Sequence, residues 1–165
     1  ASLWRTRADT VRARVLERGW SEKLGSFVDV FDGSGADASL LLLPEIGLVA
    51  YDDPRFLGTL AFLERRLRRG DFLARYDRAD DFGAPTVAFN LCTFWYINAL
   101  AGVGRMDEAR QLFESMLARC NHVGLLSEDI DPGSGELWGN FPQTYSLVGI
   151  VNAAMRLSKP WESAL

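Results

Sequence analysis

The residues best suited to chemistry lie in one stretch, Gly124-Leu-Leu-Ser-Glu-Asp-Ile-Asp-Pro-Gly-Ser-Gly-Glu-Leu-Trp-Gly-Asn-Phe-Pro-Gln143. It gathers Glu128, Asp129, Asp131 and Glu136 beside Trp138 and Phe141. Carboxylates next to aromatic rings suit sugar chemistry, because a ring face stacks on a flat pyranose while a carboxylate takes a proton or steadies a developing cation. The same composition also describes an exposed acidic turn. It is not a calcium loop of the EF-hand type. Counted from Asp129, the sixth position is Ser134 rather than Gly and the twelfth is Asn140 rather than Glu.

A second stretch, Phe72-Leu-Ala-Arg-Tyr-Asp77 followed by Asp80-Asp-Phe-Gly83, offers a guanidinium for sugar hydroxyls or a carboxylate. Tyr76 and Phe82 would line a cleft there, and an Arg–Asp pair inside the loop accounts for the same residues. His122, the single histidine, has no Ser or Cys in a nucleophile-elbow context, so a solvent-facing residue at a helix end is the simpler expectation. Phe94-Trp95-Tyr96 reads as core rather than as a ligand platform. Cys92 and Cys120 lack the spacing of a metal site, and neither a metal nor a cofactor is expected.

Six helical segments must position these residues: 3–18, 37–48, a third opened by Asp53 and Pro54 and carrying Phe56, Leu60, Leu63 and Leu67 against a polar face that reaches Arg68 and Arg69, then 86–103, 106–120 and 143–157. No alternating run is long enough for a sheet, so the fold class is all-α. The first, third and fifth segments are amphipathic, whereas the second, fourth and sixth are apolar on nearly all sides and are expected to be buried. Connections alternate in phase with this. Long ones span 19–36, 70–85 and 121–142, and short ones span 50–52 and 104–105. Antiparallel hairpins in an inner and an outer layer follow, with all long loops at the end where inner helices begin. Helix N-termini there suit anions and hydroxyl-rich ligands. Three hairpins cannot close a double ring, so the inner flanks call for more of the same barrel or for association with another copy of the chain.

The 165 residues carry 18 Lys+Arg against 22 Asp+Glu, a net charge of −4 that gives no field for a nucleic acid or an anionic membrane. At 48% hydrophobic residues the chain can fill one core, yet no run reaches the roughly 18 to 20 residues of a membrane span. Nothing at the start reads as a signal peptide, and the expected setting is reducing and cytoplasmic. A start at Ala1 rather than Met suggests a segment of a longer product.

Six stretches follow one another in the order and spacing of a known family. They are Gly35-Ala-Asp-Ala-Ser-Leu-Leu-Leu-Leu-Pro44, Asp53-Pro-Arg55, Phe89-Asn-Leu-Cys-Thr-Phe-Trp95, Gly104-Arg-Met-Asp-Glu-Ala109, Gly124-Leu-Leu-Ser-Glu-Asp-Ile-Asp131 and Gly139-Asn-Phe-Pro-Gln143. Together they resemble the C-terminal half of the catalytic domain of glycoside hydrolase family 15, the bacterial glucoamylase-like and trehalase-like proteins. The resemblance implies three of the six hairpins of an (α/α)6 toroid, one segment spanning 1–165, and inverting hydrolysis of an α-glucoside such as a malto-oligosaccharide, a starch-like glucan or trehalose. It implies Glu128 as general base, Arg75 as a contact to sugar hydroxyls and Phe89 as an aromatic lining the pocket. No residue here matches the family's general acid, which belongs to the missing N-terminal half, so the segment alone is expected to be inactive. Thr86-Val87 stand where relatives often have Glu-Gly, and Leu147 where many have His. Two other readings fit the helical pattern, a helical-repeat interaction module and a glucan-binding remnant without catalysis.

Overall fold

A computed structural model describes residues 2–79, 81 and 83–158. Asp80 and Phe82 lie outside the described residues.

The elements run from α1 (Ser2–Arg18) through the hairpin of β1 (Trp20–Ser21) and β2 (Ser26–Phe27) to a 3₁₀ helix at Ala38–Leu42. Next come α2 (Pro54–Leu67) and the hairpin of β3 (Arg68–Arg69) and β4 (Phe72–Leu73). Then follow β5 (Ala88–Phe89), α3 (Asn90–Gly102), α4 (Met106–Leu117), β6 (Asp129–Ile130), β7 (Leu137–Trp138) and α5 (Thr144–Leu157). The architecture is the all-α hairpin arrangement expected, with α3 at its centre. The 3₁₀ helix and α5 flank α3 as the inner layer, and α2 and α4 pack behind.

α2 starts where its punctuation demands. The Asp53 carboxylate accepts from the Arg55 N–H at 2.9 Å and Pro54 takes the first helical position, which needs no N–H donor. Its apolar stripe, Phe56, Leu60, Leu63 and Leu67, is buried. α3 is buried nearly all round, through Cys92, Phe94, Tyr96, Ile97 and Leu100.

Several expectations change. α2 ends at Leu67 rather than at Arg69, because Arg68 and Arg69 pair with Leu73 and Phe72 of β4. The segment 37–48 forms a short 3₁₀ helix and turns rather than a long inner helix. Pro44 cannot donate back to Leu40, and Gly47, at φ 70°, then closes the turn with the Leu48 N–H on the Leu43 carbonyl at 2.9 Å. Leu41, Leu43 and Leu48 are still buried, but Ile46 is exposed. α3 begins at Asn90 instead of 86, because Ala88 and Phe89 pair with Ile130 and Asp129 of β6. α4 ends at Leu117, three residues before Cys120, in tightened turns. α5 buries Ser146, Gly149 and Ala153 against α3 but leaves Tyr145, Val148, Val151 and Met155 exposed, so it is not an inside helix on every side. α1 has no buried residue. Only Val15 and Leu16, near its end, reach the core.

The long loops hold three two-stranded or three-stranded antiparallel ladders made of two-residue strands. They are too short for sequence periodicity, yet one of them, β5-β6-β7, carries the functional loop.

Candidate functional site

Glu128 immediately precedes β6, and its backbone is fixed on both sides. Its N–H donates to the Asn140 carbonyl at 2.9 Å, and its carbonyl accepts from the Asn90 N–H at 2.9 Å. One residue earlier, the Ser127 carbonyl accepts from Asn90 Nδ2 at 2.9 Å and from the Ser146 hydroxyl at 2.7 Å. The Leu126 carbonyl accepts from the Gln143 N–H at 3.0 Å. The first turns of α3 and α5 therefore grip residues 126–128 through N–H and side-chain donors that a helix start leaves available.

The Glu128 side chain is aimed by the return strand. Its Oε2 accepts from Asn140 N at 3.1 Å and from Asn140 Nδ2 at 2.9 Å. Gly139, at φ 76°, leaves the space this requires. A Cβ there would stand 2.9 Å from Glu128 Oε2 and 3.1 Å from Asp129 Oδ2.

Glu128 and Asp129 share a cavity of about 250 Å³ with Arg75, Tyr76, Pro85, Val87 and Phe89. All three residues singled out from the sequence thus meet, each carried by a different loop. Phe89 reaches the cavity from β5, where it is register partner to Asp129. Arg75 follows β4. Its Nε lies 3.4 Å from Asp37 Oδ2, and its guanidinium carbon sits 5.6 Å from the centre of the Trp95 ring. Among the described residues, Arg75 pairs with a carboxylate from the start of the 3₁₀ helix, Asp37, and not with Asp77 or Asp81 of its own loop. Asp77 is held by Arg66 at 2.5 Å.

Burial, and then the neighbouring charge of Glu128, push the Asp129 carboxyl up to about 6 from an ordinary 3.8. The folded chain therefore holds a proton on Asp129 through a window, from about 4 to about 6, in which the unfolded chain has lost it. This favours folding at low pH, and the benefit disappears as pH rises through 6. Asp129→Asn should raise the unfolding midpoint at pH 8 and change it little at pH 4. Equal shifts at both pH values would contradict this.

Cys92 lies beneath Arg75, fully buried. Burial pushes its thiol up to about 12, opposed by the Arg75 charge, so it has no thiolate to offer as a nucleophile.

Other candidates fall elsewhere. Asp131 closes a turn, accepting from Gly133 N at 2.7 Å and Ser134 N at 2.8 Å, and Glu136 is exposed. Trp138 and Phe141 are about half exposed and outside the cavity lining. His122 is exposed after α4. The cluster at 94–96 divides: Phe94 and Tyr96 are core, whereas Trp95 underlies Arg75. Sequence reasoning treated Asp37 as a helix cap only and gave Asn90, Asn140 and Ser146 no role. Polar residues that grip a loop have no spacing signature. Among the described residues no three metal-ligating side chains converge, and no helix is long and apolar enough to cross a membrane.

Residues 1–155 match the family model of glycosyl hydrolases family 15. A trehalase of Thermoplasma volcanium is 38% identical over 157 residues, covering 94% of this chain and 25% of the relative. A trehalase of Mycobacterium tuberculosis is 31% identical, over 99% of this chain and 24% of its own length. The chain spans about a quarter of these curated relatives. A solved structure titled "Glycosidase Wild Type" superposes with TM-score 0.78 at 23% identity, covering 92% of this chain and 43% of that one. That likeness is one of fold, and it makes the two helical layers an open part of an α/α toroid.

Proposed function

The chain belongs to glycoside hydrolase family 15, and from that premise we propose that it supplies the water-activating side of an inverting α-glucosidic centre. The observation that carries this reading is the juxtaposition of Glu128, Arg75 and Phe89 in one cavity. In the proposed mechanism Glu128 takes a proton from a water molecule as the water attacks the anomeric carbon. Asn140 holds the carboxylate oxygen that does not receive the proton. Arg75 binds hydroxyls of the ring whose glycosidic bond is being cleaved, and Phe89 covers the apolar face of that ring.

An inverting pair stands roughly 6.5 to 9.5 Å apart, so acid and base come from different loops of a ring. The acid belongs to a part of the toroid outside these residues, and that part would cover the apolar face of α5 formed by Val148, Val151 and Met155. Trehalose is the substrate to try first, because the similar proteins named above are trehalases. Malto-oligosaccharides and starch-like glucans come next.

The test uses this chain joined to the rest of its toroid. Inverting cleavage of trehalose releases one β-glucose from the attacked ring and one α-glucose from the leaving ring. Proton NMR in the first minutes, before mutarotation, should show the two anomers in near-equal amounts. Early product that is all α would mean retention and would remove Glu128 from the role of base.

A further inference from the structure

Arg75 and Glu128 carry opposite charges and line the same small cavity, yet they are not paired. Glu128 is hydrogen-bonded to Asn140, and Arg75 is paired with Asp37. A guanidinium with five donors, about a third exposed, would otherwise be drawn to the carboxylate that shares its cavity. Such a pair would leave Glu128 a weaker base and would occupy the donors that sugar hydroxyls need.

What prevents it is built into the start of the 3₁₀ helix. Asp37 is largely buried, with its side chain 13% exposed. Its Oδ1 accepts from Ser39 N at 2.8 Å, which leaves Oδ2 directed to Arg75. The two strands of chain are also tied through their backbones: Ala38 N donates to the Arg75 carbonyl at 2.8 Å, and Asp37 and Tyr76 form an antiparallel bridge. Trp95 supplies a flat face for the guanidinium on the α3 side. The carboxylate, the ring and the backbone ties together fix where Arg75 points.

We infer that Asp37 is a positioning residue that holds Arg75 away from Glu128, keeping the carboxylate unpaired and the guanidinium available to sugar. The inference rests on the reading of Glu128 as base and Arg75 as sugar contact given above. Among the described residues, the ionisable groups around Arg75 are Asp37 from the 3₁₀ helix, Glu128 and Asp129 from the β6 loop, Tyr76 from its own loop and Cys92 from α3.

Asp37→Asn separates the two tasks of this residue, because asparagine caps a helix start about as well as aspartate but carries no charge. Asp37→Ser keeps a cap acceptor too and serves as the second variant. A crystal structure of either variant of this chain should show Arg75 turned onto Glu128. Arg75 still stacked on Trp95 and off Glu128 would overturn the inference. In the complete toroid, either variant should lower kcat about tenfold, raise KM, and move the acidic limb of the pH–activity profile down by about one unit, with an unchanged unfolding midpoint. If Arg75 moves onto Glu128 and the profile stays where it was, the positioning role stands and Glu128 as base falls.

Discussion

Glu128→Gln, made in the complete protein, is expected to lower turnover of the α-glucoside by 10²- to 10⁴-fold, the usual contribution of a positioned general base. That loss corresponds to about 3 to 5 kcal/mol of transition-state stabilisation. Glutamine is close to isosteric, and its carbonyl oxygen can still accept from Asn140 N and Nδ2, so the loop should keep its place. Arg75 and Phe89 are untouched, and KM should move little because the missing interaction is made to the attacking water. The specific result is a fall in kcat at nearly constant KM, measured by glucose release. Turnover within twofold of the parent would exclude Glu128 as base. Loss of turnover with unchanged binding of a glucoside would set the catalytic reading apart from a glucan-binding remnant. In a remnant the parent has no turnover to lose.

How much of this was legible in the sequence depends on what kind of signal each feature leaves. The start of α2 is legible to the residue, because Asp53-Pro54 is punctuation with a physical cause, whereas its end is not, because the two-residue strand at Arg68–Arg69 leaves no periodic signal. The run Leu40-Leu-Leu-Leu43 is misleading: it promises a buried helix, and Pro44 directly after it limits it to a 3₁₀ turn. Hydrophobicity predicts the burial of Leu41 and Leu43 but not that Leu40 and Leu42 stay half-buried, and it leaves open the conformation, which backbone donors decide. α3 starts four residues later than the apolar pattern predicts because the two residues of β5 give no periodicity. The composition of α5 predicts a helix inside on all sides, because composition cannot distinguish a face buried in this chain from one left open. At the site, the acidic and aromatic residues of 124–143 could be seen as chemistry-bearing. Their partnership with Arg75 and Phe89 came from resemblance, because nothing in spacing links residues on three loops. The donors that hold the loop, Asn90, Asn140 and Ser146, belong to residue types that occur everywhere, and only their geometry identifies them.

The second large effect connects packing to that loop. Phe94→Ala should cost about 3 to 5 kcal/mol, the range for a fully buried phenylalanine. This is a large part of the roughly 5 to 15 kcal/mol that holds a domain together. The ring stands between three helices. It meets Phe113 of α4 edge to face with centroids 6.5 Å apart, and it lies against Gly149 of α5, where a Cβ would come within 2.5 Å of it. α5 buries few side chains of its own, so much of its attachment runs through this contact. Losing the ring should therefore loosen α5 before the rest of the core. Because Gln143 and Ser146 at the start of α5 hold Leu126 and Ser127, the same loosening should reach Glu128. Hydrogen exchange should show protection falling first at 143–157 and 126–128, while α2, whose stripe packs elsewhere, keeps its protection. Gly149→Ala attacks the contact from the other side by overpacking and should produce the same local pattern at a smaller cost of about 1 to 3 kcal/mol. A uniform loss of protection in both variants would mean that α5 is not an independently loosened unit. The link from core packing to the candidate base would then have to run through Asn90 and α3 alone.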